Sequence, residues 1–417
     1  MRILYIDSKF GSPRASSHAR VYHFAQRLRE RGHEVTVIGR DSARMELEGE
    51  RHRGMVTRGG LDGLEIVLLK VPYAQAFSKR KRMLSYSGFT LGAGLLAASE
   101  GPADVVFASS NPLTIGISGV LASRLRRVPF VFELQDLWPA VPIGMGFLTG
   151  RAEVGTAEWL ERRLYDAARR IVVCSEGVRE ALVERGIPDR KIVLIPNVSD
   201  IEHFRPDIAD PSFRGRHALE QKFVALYAGA MGVTNGIDQL VDAAVALREA
   251  GENRVAIVAA GNGTEKERIE RRVAELELDN LLVLPDIPRE EIPRLVGAAD
   301  VTITAFAPYP ILQTNSPNKF FDSLAAGKPA VVNLDGWLRR LVEEKRVGVY
   351  VPPADGTALA NALAELAGKP DLVGELGRNA RALAEQEFSR DLLADRLADV
   401  LEEAAGKRNR TSDPARV

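Results

Sequence analysis

A single cysteine, Cys174, six histidines and an aromatic content of only 6% leave this 417-residue chain short of several chemistries. One cysteine excludes an internal disulfide framework and fits a reducing compartment, where it reads as a small buried hydrophobe. No HExxH or CxxC pair occurs, and His18, His23 and His33 are held apart by helical spacing, so no metal constellation is expected. A nucleophile elbow is missing too. Net charge is absent as well, with 56 Lys plus Arg against 56 Asp plus Glu. The first 100 residues nevertheless hold 17 basic and 10 acidic side chains, an asymmetry that favours an anionic partner for the first half. An unbroken membrane-spanning run is also lacking, because Ser109-Ser110-Asn111-Pro112 interrupts the uncharged stretch from Val105 to Ser123. Strand, loop and buried helix explain that stretch better. No apolar segment precedes the strand-like MRILYID, so secretion is not expected and a cytoplasmic location is.

What is present is apolar, rhythmic material: 45% hydrophobic and 27% charged residues, enough for two domains with their own cores. RILYID, EVTVIG, EIVLLKV, DVVFASS, FVFEL, RIVVCS and KIVLIPN alternate with helical patterns, the first from about Ser17 to Arg31. Continuous apolar strands between helices predict a doubly wound parallel sheet over 1–200. The rhythm restarts with FVALYAG, RVAIVAAG, LLVLPD, DVTITAF and PAVVNL, predicting a second such domain over 201–385. A last helix over 386–406 is expected to pack back on the first domain, and 407–417 reads as a polar tail. The fold class is therefore α/β, with two Rossmann-like domains whose sheets face a central cleft where ligands bind at the carboxyl ends of the strands.

Three glycine-rich turns stand at such strand ends. Gly11 either forms a plain tight turn or lets the backbone approach a ligand beside Arg14 and His18. Gly229, Met231, Gly232 and Asn235 precede an amphipathic helix whose opening N–H groups suit a phosphate, and Gly261 and Gly263 repeat the arrangement. Glu133, Gln135, Asp136 and Trp138 follow an apolar strand; a carboxylate there accepts a sugar hydroxyl proton and an indole covers an apolar sugar face. The alternative is a capping aspartate and a core tryptophan. Lys79, Arg80, Lys81 and Arg82 precede an apolar segment, and read either as an anionic-lipid contact or as a solvated turn before a core helix. In Ser316-Pro317-Asn318-Lys319, Ser316 is placed as N-cap and Pro317 in the first turn, with Gly327 past the helix end. Lys319 then sits where the helix dipole disfavours a cation.

ERGHEVTVIG, IPNVSDIEHFRP, the GNG loop and SPNKFFDSLAAGKPAVV together resemble the family-4 retaining glycosyltransferases of GT-B fold. FELQDLWP, NPLTIG and SPNKFFDSLAAGKP are similar to the WbuB-like subgroup, which serves surface polysaccharide synthesis. The resemblance implies sugar transfer from a nucleotide donor, commonly UDP-linked, with retention and with neither cofactor nor metal. Implied partners are that donor and a polyprenyl-diphosphate-linked or saccharide acceptor at the membrane face, with no nucleic acid. Donor contacts are implied for Asp286 and Ile287 near the base, and for Gly229 to Gly232 near phosphate. Sugar and ribose contacts fall to Thr314, Asn315, Ser316, Pro317, Asn318 and Asp322. Lys319 and Asp136 are the candidate catalytic groups. Two departures stand out: Thr314 and Asp322 occupy places where many members carry glutamates, and Val233-Thr234-Asn235 lacks a basic residue found in many members. A UDP-sugar epimerase of the same fold and a non-catalytic nucleotide-sugar-binding subunit are the rival readings.

Overall fold

The computed structural model describes residues 1–11, 19–41, 45–73, 77–110 and 112–407. Two compact units emerge, one of Met1–Pro196 completed by the stretch from Asp391 onward, the other of Asn197–Arg390. Each has its own sheet.

In the first unit, β1 (Arg2–Ile6), β2 (Glu34–Arg40), β3 (Glu48–Arg53), β4 (Val56–Leu61), β5 (Leu64–Leu69), β6 (Val105–Ser109), β7 (Phe130–Leu134), β8 (Arg170–Val173) and β9 (Ile192–Leu194) form one sheet. Its order is β3-β4-β5-β2-β1-β6-β7-β8-β9, parallel from β5 to β9 with an antiparallel hairpin at one edge. The edge strands β3 and β4 escape a reading based on apolar runs, because every residue of β3, EGERHR, is exposed. Charge on an outer strand is one way sheets resist edge-to-edge pairing. The first described helix, Ala19–Glu30, lies within the expected limits. Val105 to Ser123 resolves into β6 and the start of the helix Ile115–Arg126.

The helix Arg390–Ala404 buries Leu393, Leu397 and Leu401, and from Asp391 onward it belongs to the first unit. Ion pairs hold it there: Asp395 accepts from Arg27, Asp399 from Arg31, and Glu402 from Arg31 and bonds the His33 ring. His33, which reads in sequence as turn punctuation, is thus an anchor.

The second unit contains β10 (Phe223–Ala228), β11 (Val255–Ala260), β12 (Leu281–Val283), β13 (Val301–Thr304), β14 (Ala330–Val332) and β15 (Gly348–Tyr350). Their order, β12-β11-β10-β13-β14-β15, is all parallel and reverses between β10 and β13. That is the doubly wound arrangement in which ligands bind beside the reversal point. Alternation along the strands feeds two cores: Tyr227, Ile257 and Ala259 pack on one face, Leu226, Val258 and Ala260 on the other. A fully buried aliphatic or aromatic side chain contributes roughly 1.5–3 kcal/mol, so the strands hold their loops on a stiff base.

Candidate functional site

The loop after β10 lies against the loop after β11. Gly229 N–H donates to the Ala260 carbonyl at 2.9 Å, Met231 N–H to the Asn262 carbonyl at 2.8 Å, and Glu265 N–H to the Met231 carbonyl at 2.9 Å. The glycines permit this approach. A methyl at Gly261 would stand 1.9 Å from the Gly229 carbonyl oxygen, and one at Gly263 would stand 2.3 Å from that of Met231. Asn262 Nδ2 reaches Asp286 at 3.5 Å, which brings the Asp286-Ile287 turn to the same edge of the unit.

This geometry corrects the sequence reading of the glycine-rich loop. The N–H groups of Gly229 and Met231 are committed to carbonyls, and that of Gly232 donates to Asn235 Oδ1 at 3.1 Å. They are not free to cradle a phosphate. Met231 is wholly buried in the core, and Asn235 closes the turn Val233–Asn235. The helix that follows, Asp238–Glu249, starts with Asp238 ion-paired to Arg268 and Arg272, so its positive end already faces a carboxylate. A cavity of about 180 Å³ beside Gly232, Gly236, Asp238 and Phe306 lies at the reversal point, but Lys319 does not line it.

The cation of this edge comes instead from the helix Asn318–Ala325. Lys319 Nζ donates to the Tyr227 hydroxyl at 2.7 Å and lies 3.9 Å from that ring's centroid. Its side chain stretches across Gly229, where a methyl would stand 2.8 and 2.9 Å from Cε and Nζ. Burial pushes the ammonium down to about 7. Part of its surface remains accessible although protein surrounds it. The helix start differs from expectation: Pro317 is the N-cap, and Ser316, one residue earlier, makes no cap bond. Gly327 does follow the helix end, with φ +65. No ion pair joins Asp322 to Lys319, although both line a cavity of about 20 Å³; burial raises the Asp322 carboxyl to about 7.

Just before that helix, Asn315 Oδ1 and Ser316 Oγ are buried with no hydrogen-bond partner. Their backbone is fixed from behind, since Trp337 Nε1 donates to the Asn315 carbonyl and Asn197 Nδ2 to that of Ser316. Thr314 Oγ1 donates to Ile311 O at 2.8 Å. Buried unpaired polar atoms are costly, so a rigid turn that carries two of them suits a polar ligand.

In the first unit, Asp7 follows β1 and Asp136 follows β7. Burial raises the Asp7 carboxyl to about 6, and it accepts from Lys9 N–H. Desolvation by the surrounding protein also raises the Asp136 carboxyl, with the Lys9 charge opposing the shift, while the residue itself is exposed. Trp138 is half-buried beside it, before a cis bond to Pro139. Glu133 requires correction as an acceptor contact. It is fully buried, Arg20 donates twice to Oε1, and Ser109 Oγ donates to Oε2 at 2.6 Å. Arg20 also bonds the carbonyls of Ile195 and Pro196, so Glu133 and Arg20 form an internal strut. Gly11 is buried, whereas Arg14 and His18 lie outside the described residues. Asp7, Lys9 and Tyr227 were missed in the sequence. A polar residue directly after a buried strand is the signal that could have found the first.

The family described as Glycosyl transferase 4-like domain matches residues 17–198, and that described as Glycosyl transferases group 1 matches 210–383. Among curated relatives, a probable glycosyltransferase, WbjE, of Pseudomonas aeruginosa is 24% identical over 71% of this chain and 73% of its own length. The putative colanic acid biosynthesis glycosyl transferase WcaI of Escherichia coli is 24% identical over 68% and 71%. Two solved structures share the fold: sucrose-phosphate synthase from Thermosynechococcus elongatus (TM-score 0.73, 17% identity, 98% of this chain and 100% of that one) and Anabaena HepE in complex with UDP (0.70, 19%, 97% and 100%).

Proposed function

Because the chain belongs to the family-4 class of GT-B glycosyltransferases, we propose that it moves a sugar from a nucleotide donor, UDP-linked, to a lipid-linked or saccharide acceptor in surface glycan synthesis. The observation that carries this reading is Lys319 over Gly229, on the helix that directly follows the unpaired Asn315 and Ser316 side-chain oxygens. Charge grows on the leaving diphosphate as the glycosidic bond breaks, and an ammonium placed there counts most in the transition state. Gly261, Gly263, Asp286 and Ile287 form the base-side edge, and Asn318 and Asp322 complete the sugar-side edge. The complex of HepE with UDP supports the choice of nucleotide. Retention, independence from a metal and membership of the WbuB-like subgroup belong to the same reading. Within it, Asp136 and Trp138 meet the acceptor.

Contact with an anionic membrane face is part of the proposal. Lys79 to Arg82 form the first turn of the helix Lys79–Ser99, a turn without an acidic residue, and Met83, Leu84, Leu91 and Leu95 are exposed along the helix. Cations at the positive end of a helix are best offset by an outside anion. No described helix is long and apolar enough to cross a membrane.

The test is a donor library screened by thermal stabilisation, followed by mass spectrometry with polyprenyl-diphosphate sugars. A mass shift of the acceptor is expected. Isomerised sugar or free UDP formed without any acceptor would replace transfer by epimerisation, and UDP binding without turnover would leave a binding subunit.

A further inference from the structure

Tyr227 is the penultimate residue of β10, with its side chain wholly inside the second unit. Its hydroxyl nevertheless has two partners. It donates to the carbonyl of Ala230, three residues on in the glycine-rich loop, and accepts from Lys319 Nζ. With its own hydrogen committed to Ala230, the phenol turns a lone pair toward the lysine. One hydroxyl therefore couples the shape of the loop to the position of the cation. Phe306 closes the other side, its centroid 5.8 Å from Nζ.

We propose that Tyr227 is a positioning residue for the donor's diphosphate, holding the Lys319 ammonium above Gly229 and stabilising its charged form until the anion arrives. This rests on the donor-site reading above. Other charges around the lysine do not take that role. Asp322, on the same helix, makes no ion pair with it, while Arg289 and Asp200 act on Asp322. Arg381, from the helix Pro370–Glu387, is committed to the carbonyls of Ile201, Phe204 and Ala325, at the far end of the lysine's helix. Burial pulls the ammonium down, and the groups placed to favour its charged form are the Tyr227 and Phe306 rings and, as the hydrogen-bond acceptor, the phenol oxygen. Without that acceptor the lysine sheds its proton at lower pH.

The experiment is calorimetric titration of UDP, and of inorganic pyrophosphate, into wild type, Tyr227→Phe, Lys319→Ala and the double variant between pH 6 and 9. Wild-type affinity should fall as pH rises through about 7, where the free lysine loses its charge. Tyr227→Phe keeps the ring, and should weaken binding about tenfold near pH 7 and move the fall to lower pH. In the Lys319→Ala background it should cost nothing more. An equal loss in both backgrounds, or a loss with an unmoved pH profile, would reduce Tyr227 to a structural residue and overturn the proposal. Should the phenylalanine variant fail to fold, Gly229→Ala offers a second approach: its methyl displaces Nζ from an intact Tyr227, with the same shift expected. Wild type that binds neither ligand would instead sink the donor-site reading itself, and pyrophosphate binding without UDP would sink only the nucleotide.

Discussion

Lys319 enters its helix against the dipole, beside a tyrosine oxygen and two aromatic rings, with its charge weakened by burial. Such a placement favours a group that becomes fully charged only when an anion comes near. Lys319→Ala is expected to lower turnover about tenfold or more, the scale for loss of one preorganised electrostatic contact. Unchanged turnover in a folded variant would remove Lys319 from the mechanism. For kcat/KM the sign follows from the free enzyme: a lysine depressed to about 7 is charged below that pH, so activity should decline as pH rises through it. Asp136→Asn is expected to slow transfer while leaving UDP affinity within about twofold of wild type, since a carboxylate positioned to move the acceptor's proton acts on the rate of transfer and not on the nucleotide. A calorimetric loss of UDP binding in that variant would contradict an acceptor-side role. Lys319 was visible in the sequence because its position conflicts with the dipole. Tyr227 was not, since YA within FVALYAG reads as core, and only the fold brings its hydroxyl to a lysine 92 residues away.

Loops and helices carry a second set of expectations. The contact between the Gly229 and Gly261 loops leaves no room for a side chain, so Gly261→Ala should destabilise the second unit by about 1–3 kcal/mol and weaken UDP binding with it. Gly374, exposed within the helix Pro370–Glu387, is the contrasting site: Gly374→Ala should stabilise by about 0.5–1 kcal/mol. Thermal unfolding of the two variants checks both signs. For the helix Lys79–Ser99, neutralising Lys79 to Arg82 should abolish flotation with anionic vesicles, as each cation near such a surface is worth about 1 kcal/mol. Equal recovery of wild type and variant would count against lipid contact. Its apolar residues were legible in sequence, but their exposure was not. Phe89, Ala93 and Ala97 turn inward while Leu84, Leu91 and Leu95 turn outward, and both sets look alike as letters.

Across the chain, the first unit depends on a helix that begins at Arg390, far along the chain from its last strand, Ile192–Leu194. Leu397 is fully buried there, so Leu397→Ala should cost about 2–5 kcal/mol and lower the first unit's thermal transition while leaving that of the second in place. A single transition shifted as one would show instead that the two units unfold together. The sequence by itself determined the class of architecture, because buried parallel strands must be continuously apolar and crossover helices must be amphipathic, and both periods are local. It also located the strand-end loops and the misplaced lysine. Only the tertiary structure decided what those loops can offer. Hydrogen bonds between distant segments committed the N–H groups of Gly229 and Met231 and turned Glu133 into a strut with Arg20, and the fold left Asn315 and Ser316 with unpaired oxygens. Availability of a polar group depends on which partners the fold brings within about 3 Å, and no residue's letter or local spacing contains that information.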